Sequence, residues 1–168
     1  MALPIKTASF LGVNFLLMEL QIKEILSRET YPLRHPYLRE GQPLESCVLE
    51  KDEDPQTLHL GAFFNSKLIG IISAMPNPCP DFTKHRSFQL RAMAVHPEYR
   101  GMKVASQLIQ AVLNQVKEKS TVKTIWLNSR VLANPLYLKN GFEPIGIPFE
   151  IKPIGLHQRF IKQLHHEI

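Results

Sequence analysis

Apolar and polar residues alternate from Leu20 to Ile25 (Leu, Gln, Ile, Lys, Glu, Ile), loosely at Glu24, which predicts a first strand. Ser27 or Thr30 is placed to cap a helix that Pro32 and Pro36 must kink or shorten. Gly41, Pro43 and the acidic group Glu50, Asp52, Glu53 and Asp54 leave a short helix near Leu44 to Leu49, then a loop. His59 to Phe64 and Leu68 to Met75 are apolar runs on either side of Asn65-Ser66, the pattern of a β-hairpin. Pro76, Pro78, Pro80 and Asp81 mark a loop that lasts to residue 86. Ser87 to Val95 then alternates, with Phe88, Leu90, Ala92 and Ala94 on one side and Gln89, Arg91 and Met93 on the other.

The period changes from Gly101 to Lys119. Val104, Ala105, Leu108, Ile109, Val112 and Val116 fall on one face of a helix, and Lys103, Gln107, Gln110, Asn114 and Lys117 mostly face away. A strand is predicted at Val122 to Asn128 and a short helix from about Leu132 to Lys139, stopped by Asn140-Gly141. Phe142 to Ile147 and Leu156 to Leu164 read as closing strands. Strands and helices interleave with no repeat or linker, so residues 18–168 are expected to form one α/β domain. Residues 1–17 stand apart, either as an extension preceding an original start at Met18 or as an extra element packed on the domain. Phe10 to Met18 is too short to span a bilayer. The polar residues that follow it do not provide a secretory cleavage site, so no membrane association is expected.

Composition narrows the classes. The chain of 168 residues is 44% hydrophobic and 21% charged, which suits a globular domain with a real core. Its net charge of +5 comes from scattered cations rather than a basic stripe. That argues against nucleic acid and suits an enzyme handling a polyphosphate. Cys47 and Cys79 form no CxxC or metal-ligand pattern, and His165-His166 reads as a solvated tail. No metal is expected, and a reducing compartment, the cytoplasm, is.

The chemistry concentrates where the Ser87–Val95 strand meets the following helix, at Val95-His96-Pro97-Glu98-Tyr99-Arg100-Gly101-Met102-Lys103-Val104-Ala105. The first N–H groups of a helix lack intrahelical partners and carry partial positive charge, so a pyrophosphate is their natural occupant. Gly101 lets backbone approach such a ligand, and Arg100 and Lys103 add fixed charge. Arg100 through Ala105 resembles the [Q/R]-x-x-G-x-[G/A] pyrophosphate pattern of the GNAT superfamily of acetyl-coenzyme A-dependent N-acetyltransferases. Lys103 departs from it at the usual glycine, a departure that ordinary helical geometry would tolerate. Ala133 to Phe142 is similar to a second GNAT motif, A-x-x-[LF]-Y-x-x-x-G-F, with Tyr137, Gly141 and Phe142 on matching positions and Arg130 where an asparagine is frequent.

The resemblance runs from about Met18 to Leu164. It implies a mixed, mostly antiparallel central sheet flanked by helices and splayed at the acetyl-coenzyme A cleft. It further implies direct attack of a primary amine on the thioester with both substrates bound. Met93, Ala94 and Val95 would lie beside pantetheine, and Arg100, Gly101, Met102, Lys103, Val104, Ala105 and Ser106 would hold the pyrophosphate. Tyr137 would protonate or hold the departing thiolate, which a neutral phenol is suited to do. Tyr137 also has a plain reading as packed core, and Lys103 as an exposed side chain. For the base, His35, Glu45, His59 and Gln89 (through water) are candidates, with Arg91 and Asn128 facing the same cleft. The acceptor stays open among small amines and protein lysines, and a homodimer is compatible with the family. The rival reading is a GNAT-like module that holds coenzyme A, or only regulates, without turnover.

Overall fold

The alternating runs do pair, and they pair into one sheet. The computed structural model describes residues 20–83 and 85–164, so the extension read over residues 1–17 and the His165-His166 pair lie outside the described residues. The elements are β1 (Leu20–Glu24), α1 (Tyr31–Leu38), β2 (Leu58–Phe64), β3 (Lys67–Pro76), β4 (Ser87–Val95), α2 (Val104–Lys119), β5 (Thr124–Arg130), α3 (Asn134–Lys139), β6 (Glu143–Ile151) and β7 (Gly155–Gln163). Short 3₁₀ turns occupy Ser27–Thr30, Leu44–Cys47, Pro97–Tyr99 and Val131–Ala133. The strands lie in the order β1-β2-β3-β4-β5-β7-β6. Among the described residues only β4 and β5 run parallel, so the sheet is mixed and mostly antiparallel, as the resemblance implied.

Local chemistry explains most boundaries. Asn65 and Ser66 both take positive φ (48° and 65°), the two-residue turn whose twist suits the β2–β3 hairpin. α1 lasts eight residues, one helical donor short at Pro36, and is capped at Arg39 just ahead of Gly41 at φ +74°. α2 buries Leu108, Ile109, Val112 and Val116 against Leu60, Ile72 and Phe88 on one face of the sheet. On the other face, Leu33 of α1 packs with Ile25, Ile71 and Ala94. Gly70 sets how closely α2 approaches: a Cβ there would lie 2.9 Å from Leu108 Cδ1 and 3.0 Å from Val104 Cγ1.

Several expectations shift. The long helix starts at Val104 rather than near Gly101, because Gly101 (φ +80°) and Lys103 (φ +61°) are both left-handed and cannot be helical. Lys103 therefore does not have the ordinary helical geometry expected of it. The strand expected at Val122 begins two residues later and runs on to Arg130, while β6 extends beyond Ile147 to Ile151.

Strand β4 does not keep its side assignments. Ile71 pairs with Ala94 whereas Ser73 pairs with Arg91, so β4 holds one residue more than β3 over this stretch. Ala92, at φ +51°, absorbs the extra residue as a bulge. Beyond it Ala94 joins the α1-side cluster while Met93 and Val95 pack on the α2 side, the reverse of strict alternation. The outer strand β6 is interrupted too, with a register shift between Ile145 and Phe149.

Candidate active site

The parallel pair at the centre of the sheet opens. β4 and β5 pair only over Ser87–Gln89 and Thr124–Trp126. β5 stays with β7 as far as the Arg130–His157 pair. The backbone edge of β4 beyond Gln89 is left without a strand on that side. Between the strands lies a cleft of about 490 Å³, with Gln89–Val95 on one wall and Leu127–Arg130 on the other. Met93, Ala94 and Val95 thus stand beside the gap, as do Arg91 and Asn128.

A second hollow of about 350 Å³ adjoins it at the start of α2, formed by Arg100, Gly101, Lys103, Val104, Ala105 and Ser106 with Val95, Tyr99, Leu136 and Lys139. The first helical bond runs from Gln107 N–H to the Lys103 carbonyl, so the N–H groups of Val104, Ala105 and Ser106 have no helical acceptor. Arg100 borders both spaces, its Nε donating to the Val95 carbonyl at 3.2 Å. Met102 is half-exposed and lies outside either lining.

Tyr137 closes the cleft from α3, buried between Phe142 and Phe160 at ring separations of 5.9 and 6.0 Å. Burial pushes its hydroxyl up from 10.0 to about 12, so the phenol keeps its proton at any physiological pH. Its hydroxyl makes no hydrogen bond among the described residues. Asn140 fixes the helix that carries it: Nδ2 donates to Ser106 Oγ (3.1 Å) and the Leu136 carbonyl (2.8 Å), and Oδ1 accepts from Gln110 (3.1 Å). The phenol and the start of α2 are thereby tied together through Ser106 and Gln110.

The sequence profile of the acetyltransferase (GNAT) family matches residues 20–142, from β1 past the tyrosine motif. The chain belongs to that family. It is 36% identical over 145 residues to the uncharacterized N-acetyltransferase YitI of Bacillus subtilis (strain 168), spanning 86% of this chain and 97% of that protein. In fold it is similar to an aminoglycoside 6'-N-acetyltransferase complexed with coenzyme A (TM-score 0.69, 16% identity, 88% of this chain and 99% of that one). It is likewise similar to ElaA of Escherichia coli (TM-score 0.70, 17% identity, 86% and 99%). The protein is thus a GNAT acyltransferase, of a family whose cosubstrate is acetyl-coenzyme A.

The expected base residues scatter across this GNAT domain. His35 bonds the Gln42 carbonyl at 2.8 Å and Glu45 is exposed on a 3₁₀ turn, both away from the cleft. His59 is buried in a closed network. Arg34 donates to Asp52 through two nitrogens (2.7 and 3.0 Å) and to Ser73 Oγ (3.0 Å). Ser73 in turn contacts His59 Nδ1 at 2.7 Å, and His59 Nε2 meets the Asp52 carbonyl at 3.0 Å. A carbonyl only accepts, so Nε2 carries a proton, and Nδ1 is taken by the serine. His59 therefore holds the wall together and does not reach the cleft. Gln89 does line it, its Oε1 accepting from Asn77 at 2.8 Å.

Sequence reasoning missed His157. It lies beside Arg130 on β7, lines the cleft, and donates from Nδ1 to the Gly155 carbonyl at 2.7 Å. That bond places the proton on Nδ1 and leaves the Nε2 lone pair without a partner among the described residues. No motif marks this position, and only the pairing of β5 with β7 brings it to the site. Lys139 and Tyr99 also line the hollow at the start of α2, brought there by α3 and the Pro97–Tyr99 turn.

Proposed function

We propose that this GNAT protein moves an acetyl group from acetyl-coenzyme A to a primary amine, both bound at once in the cleft between β4 and β5. The observation that carries the reading is the parting of the two parallel strands beside a helix start with three unpaired N–H groups. A strand edge without a partner suits the amides of pantetheine, and the adjoining helix start suits a pyrophosphate. Arg100 and Lys103 would add charge there, and the Met93–Val95 edge would polarise the thioester carbonyl. The attacking nitrogen bonds the carbonyl carbon as the carbon–sulfur bond breaks. The sulfur leaves as a thiolate held by a hydrogen bond from the Tyr137 O–H, and His157 Nε2 takes the amine's proton.

The test is free-thiol release from acetyl-coenzyme A on adding a panel of amines, run beside calorimetric titration of the cosubstrate. The wild-type protein is expected to bind acetyl-coenzyme A and release thiol only when an amine is present. His157→Gln should keep the binding and lose about 10²-fold in kcat/KM, the size typical of lost general-base help. Binding without thiol release for any amine would identify a non-catalytic module instead.

A further inference from the structure

The charge of the cleft is one-sided. Five arginines line it (Arg34, Arg39, Arg91, Arg100 and Arg130), and among the described residues no aspartate or glutamate does. They are not equivalent. Asp52 neutralises Arg34. Arg100 belongs to the helix-start end, and Arg130 is exposed at the tip of β5. Arg39 and Arg91 remain. The guanidinium of Arg39 donates only to carbonyls, of Ser46 (3.1 Å) and of Leu38 (2.9 Å), and has no carboxylate partner. Arg91 is half-buried on the wall of the cleft with neither a hydrogen bond nor an ion pair among the described residues.

Burial works against the Arg91 charge first, then repulsion from Arg39 and from Arg34; these outweigh the opposing pull of Asp52 and Glu50, and the net effect lowers its pKa. A cation taken from water and set near a second unpaired cation destabilises the empty protein. An oxyanion seated between them would reverse that penalty, because guanidinium groups bind carboxylates and phosphates through paired, charge-assisted hydrogen bonds. We propose that the acceptor amine also carries an oxyanion, a carboxylate or a phosphate, which Arg91 and Arg39 hold at the α1 end of the cleft. The amine would then lie toward β5 and His157, and polycations such as spermidine or an aminoglycoside would be repelled. This rests on the acetyl-transfer reading above.

The experiment compares matched pairs in the thiol-release assay: L-amino acids against their amides, O-phosphoethanolamine against ethanolamine, and spermidine as a polycation. At least one anionic member should exceed its neutral partner by about tenfold or more in kcat/KM, the scale of one charge-assisted contact. The two pairs separate carboxylate from phosphate. Arg91→Gln should remove that preference through KM, with the KM for acetyl-coenzyme A unchanged, and should leave the ligand-free melting temperature equal or higher. Neutral amides or spermidine as the better acceptors, or a variant that slows both members of a pair equally, would overturn the assignment.

Equilibrium binding reads the same site without turnover. With coenzyme A present, N-acetyl amino acids or O-phosphoethanolamine should raise the melting temperature of the wild type and not of Arg91→Gln. No rise with either overturns the proposal. Failure of acetyl-coenzyme A itself to bind overturns the transfer reading instead, and the anion measurement still reports on Arg91.

Discussion

Tyr137 occupies a place where losing a proton is costly in two ways: the anion would be desolvated, and the proposed transfer would lose its donor. Its hydroxyl ionises near pH 12 when folded, against 10.0 in the open chain. Between those values the unfolded state gives up the proton first, so stability present below pH 10 is lost as pH rises toward 12. The loss should reach about 2–3 kcal/mol. Denaturant melts from pH 9 to 12 should show that extra slope in the wild type and not in Tyr137→Phe. At neutral pH the same variant should bind acetyl-coenzyme A normally and turn over about 10²-fold more slowly. Full activity would assign the ring to packing alone. Lys103 shows another kind of strain, since a lysine at φ +61° adopts a conformation that glycine takes freely. Lys103→Gly should stabilise the fold by about 1 kcal/mol, read in thermal melts, and the glycine of the family pattern has the same explanation. Arg100→Ala should weaken acetyl-coenzyme A by about 1.5–3 kcal/mol in titration calorimetry, as loss of a charged contact does.

At the scale of elements, the bulge in β4 sets the site. Ala92 at φ +51° shifts the strand by one residue, so Ala94 comes to the α1 side while Met93 and Val95 go to the other. The run Ser87–Val95 hides this, because apolar residues continue on both sides of the break and alternation looks unbroken. A β-branched residue tolerates positive φ poorly, so Ala92→Val should destabilise by about 1–3 kcal/mol while Ala92→Gly is neutral or better. Chemical denaturation of both variants decides it. The segment from α1 to β2 rests on Arg34 and Asp52, buried to within 1% and 4% exposure. Asp52→Ala leaves the guanidinium without its counter-charge and should cost about 3–5 kcal/mol by the same measurement. The acidic group around Asp52 reads as loop in sequence. Its structural duty depends on β3 lying alongside, which no local pattern reveals.

For the molecule as a whole, what was legible followed from locality. Period and turn chemistry located the seven strands of the described residues, α2 and α3. Two short motifs placed Arg100 at the helix start and Tyr137 on the cleft wall, because those residues lie within a few positions of their structural partners. His157, Arg39 and the Arg34–His59 network come together only when β7 and α1 close on the centre of the sheet, so spacing along the chain holds no trace of them. Lys103 was legible as a departure, but its backbone conformation was not. The same split governs the border of the sheet. The outermost strand, β6, carries Pro144 and Pro148, and Ile147 between them is 84% exposed at its irregular stretch. Proline has no N–H to offer, so this border cannot template a continuous ladder of hydrogen bonds. An extended segment from another chain therefore finds no runway there, and crowding should not lengthen the sheet past β6 even though an isoleucine is on display.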